Sequence, residues 1–357
     1  MNFDYSEEQQ LLADSVRRFL AKDYDFEARK KIVASEHGCS PAVWATFAEM
    51  GLTGLPFPAE HGGFGGGAID LMGVMEAFGE ALVLEPYLPA VLAGRIVARS
   101  ALAGALLPAL IEGRLKLALA HAEKGARYDL AAVKTTARKA GDGWVLQGEK
   151  AAVVGAPTAD RLVVSAKTAE GIALFLVDRP AVKPFRTLDD RAAADVLLHE
   201  AKAQRLEGEL ALLEEVVDFA CALACAEAVG AMKYACEATL EYLKTRRQFG
   251  VPIGTFQALQ HRMVDMFIAH EQARSMACLA CSKVDNAADA TERSRSVSAA
   301  KIKVADSARH ISQEAVQLHG GMGMTEELKI SHTFRRLTVL GAAFGDADHH
   351  LARFAAR

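Results

Sequence analysis

Aromatic residues are scarce in this chain: two tryptophans, six tyrosines and sixteen phenylalanines make up 7% of its 357 residues. Against a hydrophobic content of 51%, much of it alanine, that scarcity argues against an aromatic-rich β-sandwich and for closely packed helices. An excess of positive charge is also missing. Forty-one basic against forty-five acidic side chains leave a formal charge of −4, which disfavours a general electrostatic grip on nucleic acid. Phe219 to Ala226 is one of the longest uninterrupted apolar stretches and is far too short for a bilayer span. No integral membrane segment is therefore expected. The opening MNFDYSEEQQ lacks the charged-then-apolar pattern of a secretion signal. Cysteines at 39, 221, 225, 236, 278 and 281 fall mostly in helical patterns, not in a disulfide framework. These absences predict a soluble, cytoplasmic protein of about two or three domains.

What is present changes period twice along the chain. Ser6, Glu7 and Glu8 form an N-cap and acidic first turn, after which Leu11, Leu12, Val16, Phe19 and Leu20 trace one helical face. Pro56, Pro58 and the glycines of 62–67 interrupt, and a second helical stretch follows from Ile69 to Leu84. From about residue 115 the pattern becomes β-like, with short runs at 115–121, 135–140, 144–146, 161–166, 172–177 and 196–199 separated by turn signals such as Gly141-Asp142-Gly143. No helical pattern alternates with them, so a doubly wound nucleotide fold is not supported. Long helical patterns return at 210–245, 255–285 and 292–319, stopped by Gly320 and Gly321. The expected fold is α+β: an N-terminal helical domain at 1–113, a small antiparallel sheet or barrel at 114–208, and a C-terminal helical bundle at 209–357. Ala, Cys and Met on several faces of that bundle predict oligomerisation.

Few constellations carry chemistry. The glycine cluster at 62–67 follows no clear strand and lacks a Lys-Ser/Thr pair, so it reads as a loop, not a phosphate cradle. Cys278 and Cys281 form a lone CxxC inside a helix, which reads as packed thiols. Asp346, Asp348, His349 and His350 read as a solvated helix start in preference to a metal site. More telling is the segment from Arg246 to Gln257, with two guanidiniums ending one long helix and a glutamine opening the next. An arginine there can complement a helix C-terminus or fork onto a phosphate.

Four motifs in order, together with the α–β–α order, resemble the acyl-CoA dehydrogenase family over the whole chain: Phe3-Asp4-Tyr5-Ser6-Glu7-Glu8-Gln9, Gly54-Leu55-Pro56 with Gly62-Gly63-Phe64-Gly65, Arg246-x-x-Phe249-Gly250, and Gln317-Leu318-His319-Gly320-Gly321. The ending from Phe344 to Arg353 is similar to the small subunit of pimeloyl-CoA dehydrogenase, a branch acting on dicarboxylyl-CoA thioesters. The resemblance implies a C-terminal four-helix bundle, FAD as cofactor, an acyl-CoA substrate, electron-transferring flavoprotein as acceptor, and a homo- or heterotetramer. It also implies that one subunit pockets the flavin ring while its neighbour contacts the ADP half. The neighbour's set is present here as Arg246, Phe249, Gln257, Gln317 and Gly321.

The ring-side set is not. The family's Thr-Glu-Pro-x-Ala-Gly-Ser-Asp loop stands as Ala122 to Asp129, keeping Glu123 and Asp129 but losing the threonine, proline and serine, and the tryptophan and threonine beside the flavin are Ala152 and Val154. The usual catalytic glutamate position is Phe344, and the alternative one is Ala220, followed by Cys221 where an arginine is common. Asp218 and Asp346 lie two residues from these positions, each with a plainer reading as a solvated, helix-capping acid. The leading expectation is a small subunit of a heteromeric acyl-CoA dehydrogenase, lending its nucleotide grip to a larger homologous subunit. The alternatives are a homomeric enzyme with Asp346 as base and a non-catalytic helical scaffold.

Overall fold

The computed structural model describes residues 5–356, so Phe3 and Asp4 of the first motif lie outside the described residues. The chain forms two compact units, one of Met1–Arg29, Ala68–Val83 and Cys221–Arg357, the other of Lys30–Gly67 and Leu84–Ala220.

The second unit holds the seven-stranded sheet. Helices α1 (Glu7–Asp23), α2 (Phe26–Ala34), α3 (Pro41–Glu49), α4 (Ala68–Ala81), α5 (Tyr87–Val97) and α6 (Ala103–Ile111) precede it in the chain. Of these, α3, α5 and α6 belong wholly to this unit. The strands are β1 (Leu117–Ala120), β2 (Thr136–Ala140), β3 (Gly143–Val154), β4 (Arg161–Lys167), β5 (Ile172–Asp178), β6 (Ala181–Arg186) and β7 (Ala192–Glu209). Pairings run β4–β2–β3–β7–β5 and back to β4, so the sheet closes on itself, with β1 added on β4 and β6 on β7. Most pairs are antiparallel, but β1 and β2 meet β4 in parallel. The interior is filled by small residues, including Ala118, Ala120, Ala137, Ala166, Ala173 and Ala194, around Leu146 and Phe175. Closure removes two edges that would otherwise present unpaired backbone.

β6 was not among the expected strands, because its Ala-Val-Lys-Pro-Phe-Arg sequence shows no alternation and is almost wholly exposed. Proline is tolerated there because the strand is an edge. β3 and β7 are also longer than the runs at 144–146 and 196–199 suggest. Gly148, Glu149 and Lys150 interrupt the apolar pattern of β3, and β7 continues through the polar segment after His199.

The other unit is helical. Ser6 caps α1 as expected: its hydroxyl accepts from Gln9 N at 3.2 Å, while its own N–H donates to Gln9 Oε1 at 2.9 Å. The buried stripe is Ala13, Val16 and Leu20, whereas Leu11 is 58% exposed. Beyond the sheet follow α7 (Leu210–Thr245), β8 (Arg247–Gln248), β9 (Val251–Pro252), α8 (Gln257–Asn286), α9 (Ala290–His319), α10 (Lys329–Ala342) and α11 (Ala347–Ala356). The three long helices match the periodic patterns; α10 and α11 add two that the periodicity did not single out. α9 packs against α8, α10 and α11. Helices α4 and α7 cross so closely that a Cβ on Gly79 would lie 1.9 Å from Glu227 O and one on Gly230 1.9 Å from Glu76 O. Arg336 of α10 forks onto Glu227 of α7 at 2.8 and 2.6 Å in the buried interior.

Candidate functional site

At the end of α7, Arg246 N still donates to Tyr242 O at 2.8 Å, and Arg246 O accepts from Ile253 N at 2.8 Å. Between these points the chain makes the β8–β9 hairpin, with Arg247 opposite Pro252 and Gln248 opposite Val251. Its two tip residues, Phe249 and Gly250, both have positive φ, 52° and 81°. Two-residue hairpins want that geometry, which glycine adopts freely and phenylalanine only under strain. Phe249 is also 91% exposed, with the Phe256 ring edge-on at a centroid distance of 6.1 Å. Strain and exposure on one large aromatic make Phe249 a candidate functional residue.

The hairpin is joined to a second corner. Tyr242 stacks on His319, the last residue of α9, at 4.5 Å. Burial lowers the His319 imidazole, and its Nδ1 lies 2.8 Å from Ala315 O. Gln317 and Gly321 flank this stack, and both are exposed. A Cβ placed on Gly320 or Gly321 meets nothing within 4 Å. Arg246 and Gln257 are exposed as well. The structure thus brings Arg246, Phe249, Gln257, Gln317 and Gly321 to one end of α7, α8 and α9. A guanidinium, two carboxamides, an upright aromatic ring and an open glycine corner suit a pyrophosphate carrying a flat base. The Tyr242–His319 stack that assembles them was not found from the sequence, although Tyr242 one turn before Arg246 and His319 within the motif that begins at Gln317 were usable signals.

In the β-unit, Glu123 turns inward. Its carboxylate accepts from Lys150 Nζ at 2.7 Å and from the N–H groups of Lys134 and Thr135 at 2.7 and 3.0 Å. Burial alone would raise this acid, but Lys150 and those donors hold it below the usual carboxylate range. Lys150 also donates to Ser165 at 3.0 Å. Glu123 is therefore a structural counter-charge. On the outer surface, Lys124 pairs with Glu149 at 2.6 Å and Asp195 at 3.0 Å. Asp195 in turn accepts from Ala152 N at 3.0 Å. Ala152 has a left-handed φ of 52° at a break in the β3–β7 register between Lys150 and Val153. That backbone hydrogen bond and Lys124 keep the Asp195 carboxyl below its ordinary value.

The positions expected for a catalytic acid carry none. Phe344 occupies a turn with φ 59°, followed by Gly345 at φ 117°. Two buried groups pin this turn. Lys301 of α9 donates to Leu340 O and, at 2.8 Å, to Ala343 O, while His350 Nε2 lies 3.0 Å from Phe344 O. His350, expected in a solvated helix start, is instead 1% exposed, with Nδ1 3.1 Å from Ser298 Oγ and Nε2 3.8 Å from Cys221 Sγ. Asp346 Oδ1 accepts from His349 N at 2.9 Å at the start of α11. Asp218 and Ala220 lie inside α7 and are fully buried, so Asp218 is not the solvated cap of the plainer reading. Lys301 was legible in retrospect: it shares the buried stripe of Val297, Val304 and Ala308. Among the described residues no cluster of His, Cys, Asp or Glu could hold a metal, and no helix is long and apolar enough to cross a membrane. All six cysteines are free thiols.

Comparison with known proteins matches three sequence profiles: acyl-CoA dehydrogenase N-terminal domain over residues 6–100, middle domain over 118–198 and C-terminal domain over 210–357. Acyl-CoA dehydrogenase IpdE2 of Mycolicibacterium smegmatis is 30% identical, covering 98% of this chain and 99% of its own. The ChsE4-ChsE5 complex from Mycobacterium tuberculosis superimposes with a TM-score of 0.92 at 25% identity, over 100% of this chain and 98% of that one. PigA, solved with FAD and proline, has a TM-score of 0.90 at 26% identity, over 100% and 98%.

Proposed function

The chain belongs to the acyl-CoA dehydrogenase family, and we propose that within it the chain is the small subunit of a heteromeric FAD-dependent enzyme that introduces a trans-2 double bond into an acyl-CoA thioester. A larger homologous subunit supplies the ring pocket and the catalytic glutamate. The observation that carries this reading is the exposed, strained Phe249 beside Arg246, in a chain whose ring-side and base positions hold Ala152, Val154, Phe344 and Ala220.

The residues present suit half of the cofactor. Arg246 suits the pyrophosphate, Phe249 and Gln257 the adenosine half, and Gln317 with the open corner at Gly321 a close approach of the backbone to the cofactor. The ring half does not suit: Ala152 offers no stacking surface, its N–H is engaged by Asp195, and Val154 has no hydroxyl. A flavin, when bound, supplies acceptance of a hydride from the substrate β-carbon. This chain's part is to bind and orient, since no carboxylate stands where the α-proton would be taken. Asp346, the base of the competing homomeric reading, is engaged in capping α11. The ending at 344–353 supports a dicarboxylyl-CoA such as pimeloyl-CoA as substrate, and an electron-transferring flavoprotein is the proposed acceptor in a cytoplasmic heterotetramer.

The test is Arg246→Ala in the complex purified with its partner. Loss of a charge-assisted pair, about 1.5–3 kcal/mol, weakens FAD retention roughly ten- to a hundredfold. Unchanged flavin content would reject the grip and favour the scaffold reading.

A further inference from the structure

The Lys124, Glu149 and Asp195 side chains form a surface clip in the β-unit that the reading above does not use. It links three segments: the loop after β1, the middle of β3 and the start of β7. Through Asp195 Oδ1 it also takes up the backbone N–H of Ala152. Ala152 is the apex of the bulge in β3, in the left-handed region where an L-residue is strained. Resting on the small-subunit reading, we propose that this clip closes the flavin-ring position of this chain's own β-unit, so that the chain receives the adenosine diphosphate half of a flavin dinucleotide and refuses the isoalloxazine half.

Three observations converge on this. A ring site offers backbone donors to the edge of the heterocycle, and here the bulge donor already serves a carboxylate of the same chain. That carboxylate is held by a lysine which stands in the loop after β1 and also pairs with Glu149, so loop and strands are tied across the position. Neither Ala152 nor Val154 returns stacking area or a hydroxyl that would compete with the clip. The ligand class left to the chain is a nucleoside diphosphate at the Arg246 corner, which lies in the other unit and has no part in the clip.

Two measurements on the full-length chain test this. Flavin mononucleotide carries the ring and one phosphate but no adenosine. Titrated into the chain and followed by flavin fluorescence polarisation, it should show no uptake, and stoichiometric uptake would overturn the closure. Hydrogen exchange then reads the clip directly. The Ala152 amide should be protected in the wild-type chain and exchange at least about tenfold faster in Asp195→Ala, as expected when an ordering hydrogen bond is removed. Intrinsic-rate exchange in the wild type would overturn it equally. Both readouts are independent of the Arg246→Ala experiment, so a failed nucleotide grip and a failed ring closure are told apart.

Discussion

At the scale of single residues, the Lys150–Glu123 pair shows how a family motif outlives its use. Glu123 was visible as a remnant of a cofactor loop, but its place beneath Lys150 was not, because a charge pair between a loop and a strand leaves no periodic trace. Lys150 and two backbone donors hold the folded carboxyl below its ordinary value despite burial. A lowered folded value means a stabilising contribution that is complete at neutral pH and is lost as pH falls below the ordinary glutamate value of about 4.3. Lys150→Met should cost about 3–5 kcal/mol at neutral pH by leaving a buried charge unpaired. With burial then the dominant influence on Glu123, the folded carboxyl rises above its ordinary value, so the variant should recover part of that cost on acidification as the buried acid takes up a proton, opposite in sign to the wild type. Urea melts between about pH 3 and 7 check both; a cost under about 1 kcal/mol would contradict the pairing.

Among elements, helices were the more legible. α7 spans Leu210–Thr245, as its pattern predicts, because period-3.6 patterning over that length has no strand competitor. α10 and α11 escaped because they are short and each begins with polar residues, and β6 because proline and outward-facing side chains hid its pairing. The residue types of the proposed nucleotide corner were legible, while the stack of Tyr242 on His319 needed three-dimensional information. The α4–α7 crossing was equally hidden, since glycine in a helix reads only as a weak spot. Here it permits backbone contact, with Gly230 against Glu76 O. Gly230→Ala should destabilise the protein by about 1–3 kcal/mol despite alanine's better helix propensity. Gly104→Ala, which meets nothing within 4 Å, serves as the control. Thermal unfolding of the two variants distinguishes a packing constraint from a propensity effect.

For the molecule as a whole, α8 presents Val264, Phe267 and Ile268 to solvent at helical spacing, a stripe suited to assembly with another subunit. On the proposed small-subunit reading, flavin content is a property of the complex. Purified alone, the chain should be colourless; co-expressed with the larger subunit it should be yellow, with one FAD for every two chains. Absorbance of the purified species together with subunit stoichiometry checks this, and a full complement of reducible flavin in the lone chain would refute it.

The turn at residues 343–345 carries a consequence of its own. Lys301 and His350 hold it through peptide oxygens at 340, 343 and 344. A hinge fastened by its frame keeps its shape whatever is mounted on it. The side chain at position 344 can therefore be exchanged without the surrounding architecture having to be rebuilt.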